Sequence, residues 1–151
     1  MKSHLEENLG KIIFVILSLS LFVSFVFNLD SAGSGGHIAD FYSTWVYVEA
    51  LSKHFFIFPS EAGTGIVTDN TPLGYMILGW INYFFDNKYI VRLIHCAISI
   101  ILPVLFYFAL KNHYENLDNN TLLLLASLIF LLPSFRAGAI WANNSVLANI
   151  F

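Results

Sequence analysis

The chain has 151 residues, of which 57% are hydrophobic and only 11% charged, and its net charge at neutral pH is -3. An ordinary soluble domain carries about 25% charged residues, so this composition excludes a water-soluble globule, and the absence of a basic stripe excludes a nucleic-acid partner. At about 20 residues per helical crossing the length is consumed by roughly three to five spans, so the expected fold is an all-α membrane protein, polytopic, with one transmembrane domain covering residues 1–151.

The first apolar run, "IIFVILSLSLFVSFVF", predicts a span over about residues 12–28. The small residues of "SAGSGG" that follow would suit a signal-peptide cleavage site, but the run is longer than a signal core and Glu6 and Glu7 flank it, which favours an uncleaved helix. Residues 29–71 form a long loop, opened by Gly33, Gly35 and Gly36 and closed by "AGTGIVTDNTP". Loops longer than about 15 residues are usually functional or disordered, and the aromatic content of this one argues against disorder. Within it "DFYSTWVYVEALSK" predicts a helix from Asp40 to about Lys53. Helical periodicity sets Asp40, Ser43, Thr44 and Tyr47 on one stripe, with Phe41, Tyr42, Trp45 and Val48 opposite. That pattern predicts a helix lying in the membrane interface, its polar stripe toward an aqueous cleft. A carboxylate at the amino end of such a helix is held as the anion by free N–H groups. The same physics suits a helix cap and a catalytic base, so position alone leaves Asp40 open between them.

Further spans are expected over about 72–86, 89–110 and 121–135, with another from about 137. Pro72 suits a helix start, Pro103 is placed to kink the third span, and Pro133 ends or bends the fourth. Alternating spans with a cytoplasmic amino terminus put Lys2, Lys11, Lys88, Arg92 and Arg136 inside and Lys53 and Lys111 outside. That five-to-two division agrees with the positive-inside bias and turns loop 29–71 toward the periplasm or lumen, as in a bacterial inner membrane or endoplasmic reticulum. Arg92 and His95 stand at i and i+3 inside an apolar segment, either as a functional polar pair or with Arg92 snorkelling to the membrane edge. Cys96, the lone cysteine, reads as a small core hydrophobe. "NNT" at 119–121 and "NNS" at 143–145 match glycosylation sequons without implying modification. The run "SFRAGAIWANNSVLANIF" ends without a polar tail, as an amino-terminal fragment of a longer chain would.

An amino-terminal span, a long external loop with Asp40 before an aromatic helix, "TPLGYMILGW" leading into the second span, "RL" in the third and "LLPSFRAGAIWANNSVLA" together resemble the GT-C superfamily of integral-membrane glycosyltransferases. The likeness is closest to the protein O-mannosyltransferase and aminoarabinose-transferase branch, and it covers the amino-terminal part of such an enzyme. It implies a polyprenyl-phosphate-linked sugar donor, an acceptor glycan, lipid or protein, and an aspartate of the first external loop that binds or deprotonates the acceptor. Asp40 takes that place, with Asp30 as runner-up. His37 is placed to orient acceptor or carboxylate, and Ser43, Thr44, Tyr47 and Arg92 are the expected substrate-binding residues. Thr71 stands where the family commonly has a second proline. Asn143 and Asn144 stand where related enzymes often have an acidic residue, which leaves a second carboxylate without a candidate.

No metal-ligand set, Gly-rich phosphate loop or Ser/His/Asp constellation is present in the sequence; no cofactor is expected, and a divalent metal requirement stays open. A fragment of this kind is expected to be inactive alone. The competing reading is a small non-enzymatic accessory protein, such as a lipid-linked-sugar flippase partner or a complex subunit. The long loop favours the enzyme.

Overall fold

The computed structural model describes residues 4–29, 36–53, 72–143, 146, 147 and 150. Among them the regular structure is entirely helical, with no strand. The helices are α1 (His4–Phe27), α2 (His37–Lys53), α3 (Pro72–Phe85), α4 (Lys88–Ser99), α5 (Ile101–His113), α6 (Asn119–Ser127) and α7 (Pro133–Ile140), with a 3-10 turn over Leu128–Leu131. Asp30, Glu61, Asp69, Thr71 and Asn144 lie outside the described residues, as do the side chains of Thr44 and Pro72.

Two stretches are long and apolar enough to cross a membrane, Asn8–Phe27 and Lys88–His113. Both turn most of their surface outward, with Val15, Ile16 and Leu19 of α1 and Ile101, Leu105 and Phe108 of α5 exposed, as lipid-facing helices do. Hydroxyls inside α1 are satisfied locally: Ser18 donates to the Phe14 carbonyl at 2.8 Å and Ser20 to Leu17 at 2.7 Å. The α4–α5 stretch has its seam at Ile100, because Pro103 has no N–H to give the Ser99 carbonyl. A third stretch, Asn119–Leu131 with Pro133–Ile140, passes as a span only as a pair bent by 68°. The bend falls at Leu132, which is extended at φ -73°, ψ 118°, as a residue before proline is driven to be.

Short polar punctuation sets the boundaries. Asn28 closes α1 at φ 51°, a left-handed position that asparagine tolerates. Asn87 accepts from the N–H groups of Tyr89 at 2.9 Å and Ile90 at 3.3 Å to start α4. Asp118 does the same for α6 through Asn120 at 2.9 Å and Thr121 at 3.1 Å. These side-chain oxygens satisfy N–H groups that the first helical turn leaves free.

Cross-helix contacts give the directions. Gly10 meets Asn120, Phe14 meets Phe130 at 5.2 Å, and Arg136 donates to Ser20 and Ser24, so α1 and the α6–α7 limb run the same way. At the other end of α1, Phe25 packs on Tyr89 at 4.9 Å, so α4 starts where α1 finishes and runs back. Along α2, Tyr47 lies on Tyr75 at 5.6 Å and Asn82 donates to Ser52 at 3.4 Å, which makes α3 parallel to α2. Lys88 then turns back onto α2, 3.9 Å from Glu49 and 5.1 Å from the Trp45 ring.

The contacts also set which helix ends lie together. With only 14 residues α3 is about 21 Å long, against a hydrocarbon core of ~30 Å, and it delivers Lys88 to the same end as the carboxyl terminus of α1. Residues 72–86 therefore do not separate Lys88 and Arg92 from α2. Lys88, Arg92 and Arg136 all lie toward the Ser20-to-Phe25 end of α1.

Two outcomes follow. In a Cys96→Ala background, cysteines placed at the exposed positions 28 and 86 label from one side of the membrane and a cysteine at 115 from the other, whereas four alternating spans would put 28 and 86 on opposite sides. A Cβ on Gly10 would collide with the Asn120 backbone carbonyl, so Gly10→Ala lowers thermal stability by about 1 to 3 kcal/mol despite its better helix propensity, as a melting curve in detergent measures.

Candidate functional site

The amino end of α2 is built on Gly36, which at φ 97° occupies a conformation that side chains disfavour. Its carbonyl accepts the Asp40 N–H at 2.9 Å, the first helical bond of α2. The helix thus begins three residues before Asp40, at His37, because Gly36 can turn the chain there. Asp40 lies at the end of the first turn with its own N–H already bonded, which removes the capping reading. Its side chain is 61% exposed.

Three side chains meet here. Asn143 Nδ2 donates to His37 Nδ1 at 2.9 Å and lies 3.4 Å from Asp40 Oδ2, while His37 Nδ1 and Asp40 Oδ2 are 4.0 Å apart. With Nδ1 accepting, the ring proton of His37 belongs on Nε2. Ser43 is exposed on the same side of α2, its hydroxyl donating to the Asp40 carbonyl at 3.0 Å. The fourth expected member does not join them. Tyr47 is 2% exposed and stacked on Tyr75, because α3 covers that flank of α2. Burial first, and Tyr75 second, raise its phenol above the ordinary range, so Tyr47 remains neutral. The expected polar stripe therefore does not reach Tyr47, and of the opposite face, expected to meet the headgroup layer, Phe41, Trp45 and Val48 are instead buried in the core while Tyr42 is exposed.

Asn143 reaches this cluster through the end of α7. Ala137, Gly138 and Ala139 are small and buried, which brings α4 close enough for His95 Nδ1 to bond the Ala139 carbonyl at 3.0 Å and Arg92 Nε to donate to Ile140 at 3.0 Å. A cation at a helix carboxyl end meets carbonyls that have no helical partner. The Arg92 guanidinium also lies over the Trp141 ring at 3.7 Å, with Phe25 at 5.1 Å and Phe41 at 5.8 Å around it. Arg92 is thus folded inward among aromatic rings, which displaces the snorkelling reading, and it meets α7 rather than pairing with His95. Beyond Trp141 the chain turns at Ala142, φ 49°, and the Asn143 N–H returns to the Gly138 carbonyl at 2.9 Å. That left-handed closure aims Asn143 at α2.

A pocket of about 400 Å³ opens in the elbow of the α6–α7 bend, lined by His37 and Ser134 together with Leu102, Phe106, Ile129 and Leu132. A second space of about 460 Å³ shares Phe106, Ile129 and Leu132 and continues along Leu110 and Leu125 between α5 and α6. His37 and Ser134 are the polar side chains that line the first space, and the lining of the second is almost wholly apolar. Among the described residues no cluster of His, Cys, Asp and Glu has a metal-binding arrangement.

The structure therefore gathers Asp40, His37 and Ser43, adds Asn143, and gives Arg92 and Trp141 the task of holding the end of α7 that carries Asn143. Sequence reasoning noted Asn143 as a sequon asparagine and as a missing acid, without a link to Asp40, and passed over Trp141. The usable signal was the small run before them, which marks a close helix approach.

Arg92→Ala should lower unfolding stability by about 3 kcal/mol, since it removes a desolvated cation–π contact and a charged hydrogen bond together. Lys88→Ala, whose ion pair is half exposed, should cost less than about 1 kcal/mol. Thermal melts of both variants in detergent check the contrast. No protein-family model matches this chain, and no curated protein or solved structure does.

Proposed function

We propose that the chain provides the acceptor side of a membrane glycosyltransferase that moves a sugar from a polyprenyl-phosphate-linked donor to an acceptor hydroxyl. The observation that carries this reading is an exposed carboxylate, Asp40, one helical turn from His37, which lines a largely apolar pocket. A lipid-linked sugar has the matching form: a chain that stays in hydrocarbon and a head that must reach polar groups. In the transfer, Asp40 takes the proton of the acceptor hydroxyl as its oxygen bonds the anomeric carbon, and the bond from that carbon to the phosphate oxygen breaks with its electron pair leaving on the lipid phosphate. Asn143 fixes the Asp40 carboxylate and the His37 tautomer; His37, Ser43 and Ser134 supply hydrogen bonds to the reactants. Arg92 is a positioning residue that keeps the end of α7, and so Asn143, in register. In this reading the polar cluster faces the periplasm or lumen.

The test is sugar transfer by the native protein in detergent from a polyprenyl-phosphate-linked donor. Asp40→Asn should lower turnover roughly 100-fold to 10,000-fold, the usual worth of a general base. Its stability should move by no more than about 0.5 kcal/mol, as for other exposed substitutions. Normal transfer by Asp40→Asn would overturn the role given to Asp40, and a selective loss with Asp30→Asn would move the base to that residue.

A further inference from the structure

The two faces of α3 are chemically inverted relative to a helix that meets water. Its inner face, against α2, carries Gly79, beneath Leu51, and Asn82, bonded to Ser52, along with Tyr75 and Leu78. Its outer face carries Leu73, Trp80, Tyr83, Phe84 and Phe85, each about half exposed or more. Positions 73, 80 and 84 recur at helical spacing, and the outer rings touch one another, Phe84 lying 5.3 Å from both Trp80 and Tyr83. An exposed patch of that size and composition does not belong to a water-facing helix.

Three features say what covers it. The patch continues past Lys88 to exposed Tyr89, which packs on Phe25 of α1 beside the outward Val23 and Val26, so it adjoins the lipid-facing flank of a candidate span. α3 is too short to cross, and it lies along α2, a helix that carries Asp40, Glu49 and Lys53 and so cannot cross either. Its rings include tryptophan and tyrosine, whose amphipathic rings favour the headgroup level over both water and the hydrocarbon centre. We propose that the outer face of α3 is seated in the headgroup layer of the bilayer and anchors the α2–α3 pair there, so that Asp40 is held at the membrane border. Residues 72–85 are then an interfacial anchor, and the pair moves with the membrane surface rather than with the water phase. The inference rests on α1 and the α4–α5 stretch crossing the bilayer, and it stands apart from the glycosyltransferase reading.

The experiment is depth-dependent quenching of tryptophan by brominated lipid in phosphatidylcholine vesicles. Trp80 is isolated by Trp45→Phe and Trp141→Phe, and a second protein lacking all three native tryptophans carries Ile16→Trp, on the exposed middle of α1. Trp80 should be quenched most by bromine near the glycerol end of the acyl chain, and the tryptophan at position 16 most by bromine near its methyl end. Deep quenching of Trp80 would show α3 in the bilayer centre and overturn the proposal. Absence of quenching at Trp80 with deep quenching at position 16 would assign the face to water or to a protein partner, and overturn it equally. Absence of deep quenching at position 16 would remove the membrane placement of α1, and the proposal with it. A nitroxide on Trp80→Cys in a Cys96→Ala background keeps the Arg92–Trp141 contact intact, and its relative accessibility to oxygen and to a polar relaxation agent should place it at the same shallow depth.

Discussion

The Arg92 guanidinium, folded back among Phe25, Phe41 and Trp141 and bonded to the Ile140 carbonyl, is the joint on which the rest of the arrangement depends. One side chain of α4 there touches α1, α2 and the end of α7. A charge in an apolar setting is costly unless its hydrogen bonds and field are answered; here Nε is answered by an open helix end and the field by the faces of aromatic rings, while Nη2 is buried without a hydrogen-bond partner among the described residues. Because the guanidinium is planar and the ring lies 3.7 Å from it, the contact fixes orientation as well as distance, which a lysine ammonium would not do.

From that joint the geometry of the polar cluster follows in steps. Trp141 is held, Ala142 turns in the left-handed region, and Asn143 is delivered to His37 and Asp40. Gly36 performs the matching service on α2, starting the helix early enough that His37 and Asp40 share its first turn. Two local backbone exceptions, at positions 36 and 142, thus bring together side chains about a hundred residues apart. The bend at Pro133 supplies the remaining element, since a straight α6–α7 limb would leave no elbow for the pocket between Ile129 and Ser134.

The α2–α3 pair carries the α2 part of this cluster. Its close approach depends on Gly79, where an added Cβ would press within 2.9 Å of the Leu51 side chain, and on the Asn82–Ser52 hydrogen bond. Small and polar residues inside with aromatics outside is the pattern of helices that pack in or against lipid, where association rests on close fit and hydrogen bonding more than on expelling water. The same pair buries Tyr47 against Tyr75, which removes one residue from the polar stripe.

The sequence by itself determined the solvent and the helices. Its apolar runs are long enough to cross, its Asn87 and Asp118 caps are local, and its prolines at 103 and 133 mark the seam and the bend, all of which depend on residues within one or two turns. An aromatic helix after Gly36 was also legible, because its periodicity is a property of the segment alone. What only the tertiary structure decided is which faces meet. Whether α3 crosses depends on where Lys88 lands, whether Tyr47 is wet depends on α3, and whether Arg92 snorkels depends on Trp141 and Ile140, which are distant in sequence. Asn143 joined Asp40 and His37 for the same reason: a hydrogen bond spanning more than a hundred residues leaves no periodic trace in the chain, since it is set by how α4 and α7 close on α2.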